Sequence, residues 1–223
     1  MDEVQGIKIG IPDHSSVSGL WAKAQEPWAS ITLAHGAGAG MHHDFMNMVS
    51  QKLTSIGIHC LRFQFPYMEA GKRRVDSQDL AKKTIAAAFN KNIELSGAKI
   101  PQFLAGKSFG GRMASHAVAD GLIEPRGLIF LGFPLHPAGK PGTERAHHLG
   151  AIATPMLFIQ GDRDTLARFD LIQDTIAPLA SAHLTVIDDG DHSFKVRKKS
   201  GNTPENVAAA IQATTRNFCE KHK

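Results

Sequence analysis

Short apolar runs alternate with amphipathic stretches along most of the chain. The runs near residues 31–34, 58–63, 102–106, 127–132, 156–160 and 184–187 have the length and continuous hydrophobicity of strands buried on both faces. Between them, Phe45/Val49/Leu53, Leu80/Thr84/Ala87 and Val207/Ile211/Thr214/Phe218 recur at helical spacing. A further helix-like run covers residues 112–120. Strand and helix patterns in alternation predict parallel strands joined by crossover helices. Before them, residues 5–11 and 16–21 read as a hairpin joined through Pro12-Asp13. Thr203-Pro204-Glu205 supplies the last helix with an N-cap and a first-turn proline. Repeats, low-complexity segments and linkers are absent, so 223 residues are expected to form one domain over 1–223.

One junction between strand and helix carries chemistry. Gln102-Phe103-Leu104-Ala105 runs into Gly106-Lys107-Ser108-Phe109-Gly110 and then into the helical run. A strand that turns sharply into a helix with serine at the apex is a nucleophile elbow, which holds the hydroxyl clear of the sheet. The serine takes a strained backbone there, and a Cβ at Gly106 or Gly110 would crowd strand against helix. The same residues resemble the end of a phosphate-cradling loop, but that motif needs glycine where this chain has Pro101. Proline has no N–H to offer a phosphate.

A serine nucleophile needs a base and a group that orients the base. On such a sheet these follow in chain order, acid then histidine, each in a loop after a strand. Met156-Leu157-Phe158-Ile159-Gln160 is followed by Gly161-Asp162-Arg163-Asp164, and Leu184-Thr185-Val186-Ile187 by Asp188-Asp189-Gly190-Asp191-His192. Asp164 is preferred as the acid because it lies further past the strand end. Asp162 is read as holding the turn by a side-chain bond to backbone. Asp164 is also placed to cap a helix beginning near Thr165 or Leu166. Of the 12 histidines, His192 alone follows the last strand in a glycine-containing loop before the final helix. His42-His43 and His147-His148 do not converge as metal ligands, since neighbours on a helix diverge. No zinc spacing is present. No metal and no cofactor are expected.

The oxyanion formed when serine attacks a carbonyl needs N–H donors. Ser30-Ile31-Thr32-Leu33-Ala34 leads into His35-Gly36-Ala37-Gly38-Ala39-Gly40, whose small residues leave backbone amides unobstructed. The N–H groups of Ala37 and of Phe109 are the expected pair, with Gly36 and Gly38 beside the substrate. A dinucleotide loop fails because Met41 stands where its third glycine belongs. Met41, Met68, Phe109, Phe133 and Leu135 are candidate cleft walls, although such side chains also fill cores. Arg62 and His136 are each placed either to meet an acidic substrate group or to serve the structure.

His35-Gly36-Ala37-Gly38, Gly106-x-Ser108-x-Gly110, Gly161-x-x-Asp164 and Gly190-Asp191-His192, in this order, resemble the α/β-hydrolase superfamily over nearly the whole chain. Residues 33–40 and Arg62-Phe63-Gln64-Phe65-Pro66-Tyr67 are similar to the testis-expressed and chromatin-complex hydrolase-like proteins of its small, lidless, dienelactone-hydrolase-related branch. The resemblance implies a three-layer α/β/α sandwich with a mostly parallel sheet and ester-type hydrolysis. Ser108 stands where dienelactone hydrolases usually carry cysteine. A lid would be inserted between Gly132 and Pro155, where Phe133-Pro134-Leu135-His136-Pro137 is proline-rich and only about two dozen residues are available, too few for one. An open cleft is expected.

Composition narrows the picture further. At 42% hydrophobic and 21% charged, this is an ordinary globular chain. The net charge of +4 is modest, and the clusters Lys72-Arg73-Arg74 and Arg197-Lys198-Lys199 belong to no nucleic-acid-binding module. The acidic start Met1-Asp2-Glu3 lacks the features of a signal peptide, and no apolar run reaches membrane-spanning length. Two isolated cysteines fit a reducing cytoplasm. The expected activity is a serine hydrolase acting on a small-molecule ester or thioester, without nucleic acid or membrane. The alternative is a hydrolase-like scaffold that binds a partner protein, which would not need a complete triad.

Overall fold

The apolar runs assemble into one sheet. A computed structural model describes residues 4–223; Met1-Asp2-Glu3, on which the signal-peptide reading rests, lies outside the described residues. The opening hairpin is β1 (Val4–Ile11) and β2 (His14–Ala22), and Asp13 takes a positive φ of 60° at its turn. Six further strands follow: β3 (Ala29–Ala34), β4 (Ile58–Phe63), β5 (Gln102–Lys107), β6 (Leu128–Leu131), β7 (Met156–Gly161) and β8 (Ala182–Ile187). Their order across the sheet is β1-β2-β4-β3-β5-β6-β7-β8. The pairings β1·β2 and β2·β4 are antiparallel, and every other pairing is parallel.

The helices are α1 (Asp44–Thr54), the short α2 (Pro66–Glu69), α3 (Gln78–Ser96), α4 (Phe109–Ala119), α5 (Phe169–Ile176) and α6 (Pro204–His222). They cover the two faces of the sheet. Leu104, Leu128, Phe130, Met156 and Phe158 face one core with Ala81, Ile85, Met113, Ala117 and Ile172 of α3, α4 and α5. Phe103, Ala105, Ile129, Leu131, Leu157 and Ile159 face the other with Met46, Val49, Val207, Ile211 and Phe218 of α1 and α6. Adjacent strand residues thus go to opposite layers, which is why the strands are apolar throughout. Thr203 caps α6 by accepting from the Asn206 N–H at 3.1 Å. Two helix faces differ from the expectation by one residue: Ala88 and Thr215 are buried where Ala87 and Thr214 are only half-buried. The buried stripe of α3 takes both members of the pairs Thr84-Ile85 and Ala88-Phe89, so a single i,i+3,i+4 trace misses part of it.

The segment between β6 and β7 contains no lid. Gly132 turns the chain with φ +72°, which sends Phe133 and Leu135 into the core under α4 and α5. A 3-10 helix, Glu144–Ala151, buries Ala146 and Leu149 in the same core. Among the described residues, no helix is long and apolar enough to cross a membrane.

The chain reverses its direction of travel across the sheet between β3 and β5. From β3 it moves to β4 on one side and returns to β5 on the other. Ligands of open α/β sheets bind at the carboxyl ends of strands at such a switch point. The register pairs Ala34 with Gly106, which brings the loop after β3 beside Ser108. Gly161 pairs with Ile187, so the loops after β7 and β8 also leave the sheet together.

Candidate active site

Ser108 stands between β5 and α4 with φ 50° and ψ −116°, the strained backbone expected of an elbow. The flanking glycines are required by close approach. A Cβ on Gly106 would lie 2.3 Å from the Gly111 nitrogen in α4. One on Gly110 would lie 2.5 Å from the His35 carbonyl oxygen, so this second glycine lets the helix meet the loop after β3. The Phe109 N–H, first of α4, has no acceptor within its own helix.

The three groups selected from the sequence converge. His192 Nε2 lies 2.8 Å from Ser108 Oγ, and His192 Nδ1 lies 2.7 Å from Asp164 Oδ2. A carboxylate only accepts, so in a neutral imidazole Nδ1 carries the proton and Nε2 presents its lone pair to the serine hydroxyl. Asp164 is buried and fully engaged: its Oδ1 accepts from the Leu166 N–H at 2.7 Å, and its Oδ2 also accepts from Gln160 Nε2 at 2.5 Å. Gln160 in turn accepts from the Phe133 N–H at 2.8 Å. It is a positioning group that the sequence reading missed, although a polar residue ending an otherwise apolar strand is a usable signal. Asp164 closes a local turn instead of capping a helix, because α5 begins only at Phe169 behind Arg168. Asp162 is exposed, and the side-chain turn bond expected of it is made by Asp164.

The loop after β8 is tightly pinned. Asp191 Oδ1 accepts from the Ser193 and Lys195 amides at 2.8 and 2.9 Å. Asp189, at φ 59°, accepts from the Arg197 side chain and from its N–H at 2.7 Å, while Arg163 Nη1 reaches the Asp189 carbonyl at 2.9 Å. These bonds, led by the Arg197 side chain, hold the Asp189 carboxyl down at about 2. Against Gly161, a Cβ would meet the Gly190 carbonyl oxygen at 2.2 Å, so the acid and histidine loops start in backbone contact.

The loop after β3 is held by neutral groups. His35 Nε2 accepts from the Phe65 N–H at 3.0 Å, which leaves Nδ1–H to donate to the Gly36 carbonyl at 2.7 Å. Burial pushes the His35 pKa down to about 4, so the ring is neutral. The Tyr67 hydroxyl donates between the carbonyls of Ala37 at 2.9 Å and Gly36 at 3.1 Å. Burial raises its pKa to about 12.

Together these loops enclose a cleft of about 320 Å³ whose lining includes Gly36, Ala37, Gly38 and Ser108 with Phe45, Met46 and Leu166. His43 also faces it, and its ring caps α1 by accepting from the Phe45 N–H at 3.2 Å. A larger groove of about 450 Å³ between β1 and α3, lined by Lys8, Lys83 and Lys91, has no nucleophile–base pair.

Several expected substrate contacts lie elsewhere. Phe133 and Leu135 are fully buried in the core on the α3–α5 side of the sheet, beyond the turn at Gly132. Met41 is buried and absent from the cleft lining. Arg62 is buried under α1, where its Nη1 donates to the Met41 carbonyl at 3.1 Å and to the Asn47 side-chain oxygen; it is absent from the cleft lining, and among the described residues no carboxylate forms an ion pair with it. His136 is structural as well, since its Nε2 accepts from the Arg168 N–H at 2.9 Å. Met68 and Phe109 also contribute to core packing. His147 and His148 do not converge: His148 stacks on His116 with centroids 3.6 Å apart.

The chain belongs to the alpha/beta hydrolase domain family, whose model matches residues 27–220. Its fold is similar to that of a dienelactone hydrolase from Anabaena variabilis, at 16% identity and TM-score 0.76 over 98% of both chains. It is likewise similar to an α/β serine hydrolase without lid from Xanthomonas campestris, at 22% identity and TM-score 0.74 over 97% of this chain and 95% of that one. An esterase from Pyrococcus furiosus matches at 17% identity and TM-score 0.75, over 97% of this chain and 91% of that one.

Proposed function

We propose that this protein is a serine hydrolase that cleaves small esters or thioesters through an acyl-enzyme intermediate. The observation that carries the reading is the continuous relay Asp164–His192–Ser108, with links of 2.7 and 2.8 Å, at the mouth of an open apolar cleft. Ser108 Oγ attacks the substrate carbonyl while His192 Nε2 takes its proton. Asp164 keeps the imidazole in the required tautomer and balances the positive charge that develops on it. The N–H groups of Ala37 and Phe109 receive the oxyanion. His192 then returns the proton to the leaving alcohol or thiol. Water, deprotonated by the same imidazole, releases the acid and restores Ser108.

The cleft explains the size of substrate proposed. Its walls are Phe45, Met46 and Leu166, and it lacks a cover under which a long chain would be desolvated. Each methylene left in water forgoes about 0.8 kcal/mol of binding. Acetyl and butyryl nitrophenyl esters should therefore be cleaved in preference to dodecanoyl. Ser108→Ala should lower kcat on the order of 10⁶-fold and abolish fluorophosphonate labelling, with an unchanged melting curve. Rates above a tenth of wild type in that variant would remove Ser108 as nucleophile, and a preference for dodecanoyl would remove the open-cleft model.

A further inference from the structure

Lys107 immediately precedes the nucleophile, yet the reaction just described gives it no task. Its side chain runs along the cleft wall and turns inward, where the ammonium donates to the main-chain carbonyl of His192 at 2.5 Å. The ammonium also lies 5.2 Å from the centre of the Phe194 ring. Space for it is built into the backbone: a Cβ on Gly132 would approach Nζ to 2.9 Å. Phe194 itself holds a positive φ of 61°, so the segment bearing His192 is strained on the side that Lys107 grips.

We propose that Lys107 is a positioning residue for His192: its ammonium fixes the His192 carbonyl, and through it the imidazole, in line between Asp164 and Ser108. This rests on the serine-hydrolase reading above. A side chain on the elbow is thereby tied directly to the loop of the base, so nucleophile and base share one support. The charged groups facing Nζ are Asp164 after β7 and Asp191 after β8, with the His192 ring beside them. Burial lowers the Lys107 pKa to about 8, against the upward pull of those two carboxylates. A charge-assisted bond is roughly twice as strong as a neutral one, so the grip weakens as the amine deprotonates. Catalysis should then show an alkaline limb near 8.

The contribution of Lys107 to stability moves the opposite way. The folded value lies below the ordinary lysine value, so above about 8 the unfolded chain holds a proton that the folded chain has released. Lysine deprotonation therefore stabilises the fold as pH rises. Loss of rate with a gain in stability, read relative to a protein without the amine, separates positioning from unfolding.

The test is Lys107→Met, which keeps the length and removes the charge; replacing a buried charge by an apolar side chain commonly leaves folding intact. Expected are a kcat lowered on the order of 10- to 100-fold, as small misplacements produce, a KM changed far less, and an alkaline limb that disappears. Above pH 8 the melting temperature of wild type should rise relative to the variant, in which the buried Cys60 and Cys219 thiols titrate as before. Amide exchange over residues 188–197 should be faster in the variant. Wild-type kcat with the alkaline limb intact, or unchanged exchange in that loop, overturns the proposal. If wild-type protein takes no fluorophosphonate label and hydrolyses no ester, the hydrolase reading fails, and the exchange measurement still decides whether Lys107 holds the loop.

Discussion

The loops 35–40 and 188–197 border Ser108 from two sides, and they are fixed by different kinds of interaction. The first is held by a neutral His35 and by the Tyr67 hydroxyl, both bonded to its carbonyls. Neither group titrates between about 4 and about 12. The second is held by charges: Lys107 inside, and Asp189 with Arg197 and Arg163 outside. The loop proposed to offer oxyanion donors should therefore keep its shape over the whole working range of pH. The loop carrying the base should not. In the proposed mechanism, donors must match a fixed oxyanion position, whereas the base would change charge in every turnover and sits among groups that respond to charge.

The largest effect expected on the charged side comes from Asp164. Asp164→Asn preserves shape but lets the amide donate toward His192 Nδ1, which favours the wrong tautomer. A loss of about 10⁴ in kcat is expected, as in the chymotrypsin-type triad. Asp162→Asn, at an exposed position two residues earlier, should cost far less. Parallel kinetics on the two variants decide the matter, and a reversed order means that the acid is misassigned.

Tyr67→Phe probes the neutral side. It removes one hydroxyl from two carbonyls and leaves the ring stacked on Phe65 with centroids 6.2 Å apart. Only the Ala37 carbonyl then loses its donor, since the Gly36 carbonyl keeps the His35 Nδ1–H. One such bond contributes about 0.5–1.5 kcal/mol, and the loosened loop should lower kcat by roughly tenfold, below the loss of about 10²–10³ typical of a missing oxyanion donor. The contrast between the loops is sharpened by the pH profile, which should fall in height without changing shape. A displaced limb in Tyr67→Phe would show that the first loop is coupled to charge after all.

How much of this is legible in the sequence depends on whether the requirement is local. The elbow is legible because Gly106, Ser108 and Gly110 answer to contacts made within one strand–helix junction. Asp164 and His192 are legible because each follows its own strand directly, and neighbouring parallel strands end together. The cleft walls are not, because His43, Phe45 and Met46 enter through the rotation of α1 about its axis. Arg62 lies next to the end of β4 near the site, but alternation assigns its side chain to the layer beneath α1, and Asn47 waits there. Phe133 and Leu135 depend on the positive φ of Gly132, which sequence spacing does not reveal. Lys107 and Gln160 did carry a signal: each is a polar residue near the end of an apolar strand, where a buried polar group requires a partner.

The smallest effect, and the finest test of the contrast, concerns Asp189. Its folded pKa of about 2 lies below the ordinary carboxylate value because Arg197 and the Arg197 N–H bond to it. A depressed carboxylate contributes stability that is fully present above its unfolded pKa and is lost as pH falls through the folded value. The window thus runs from about 4 down to about 2. Asp189→Asn keeps the size of the side chain and removes the charge, so loop 188–197 should exchange its amides faster than wild type at neutral pH. The difference should shrink as wild type is acidified through that window. Loop 35–40, with no carboxylate among its supports, should exchange at the same rate in both proteins throughout. Equal changes in both loops would mean that the acid response belongs to the whole fold, and the division between a neutral and a charged support would fall.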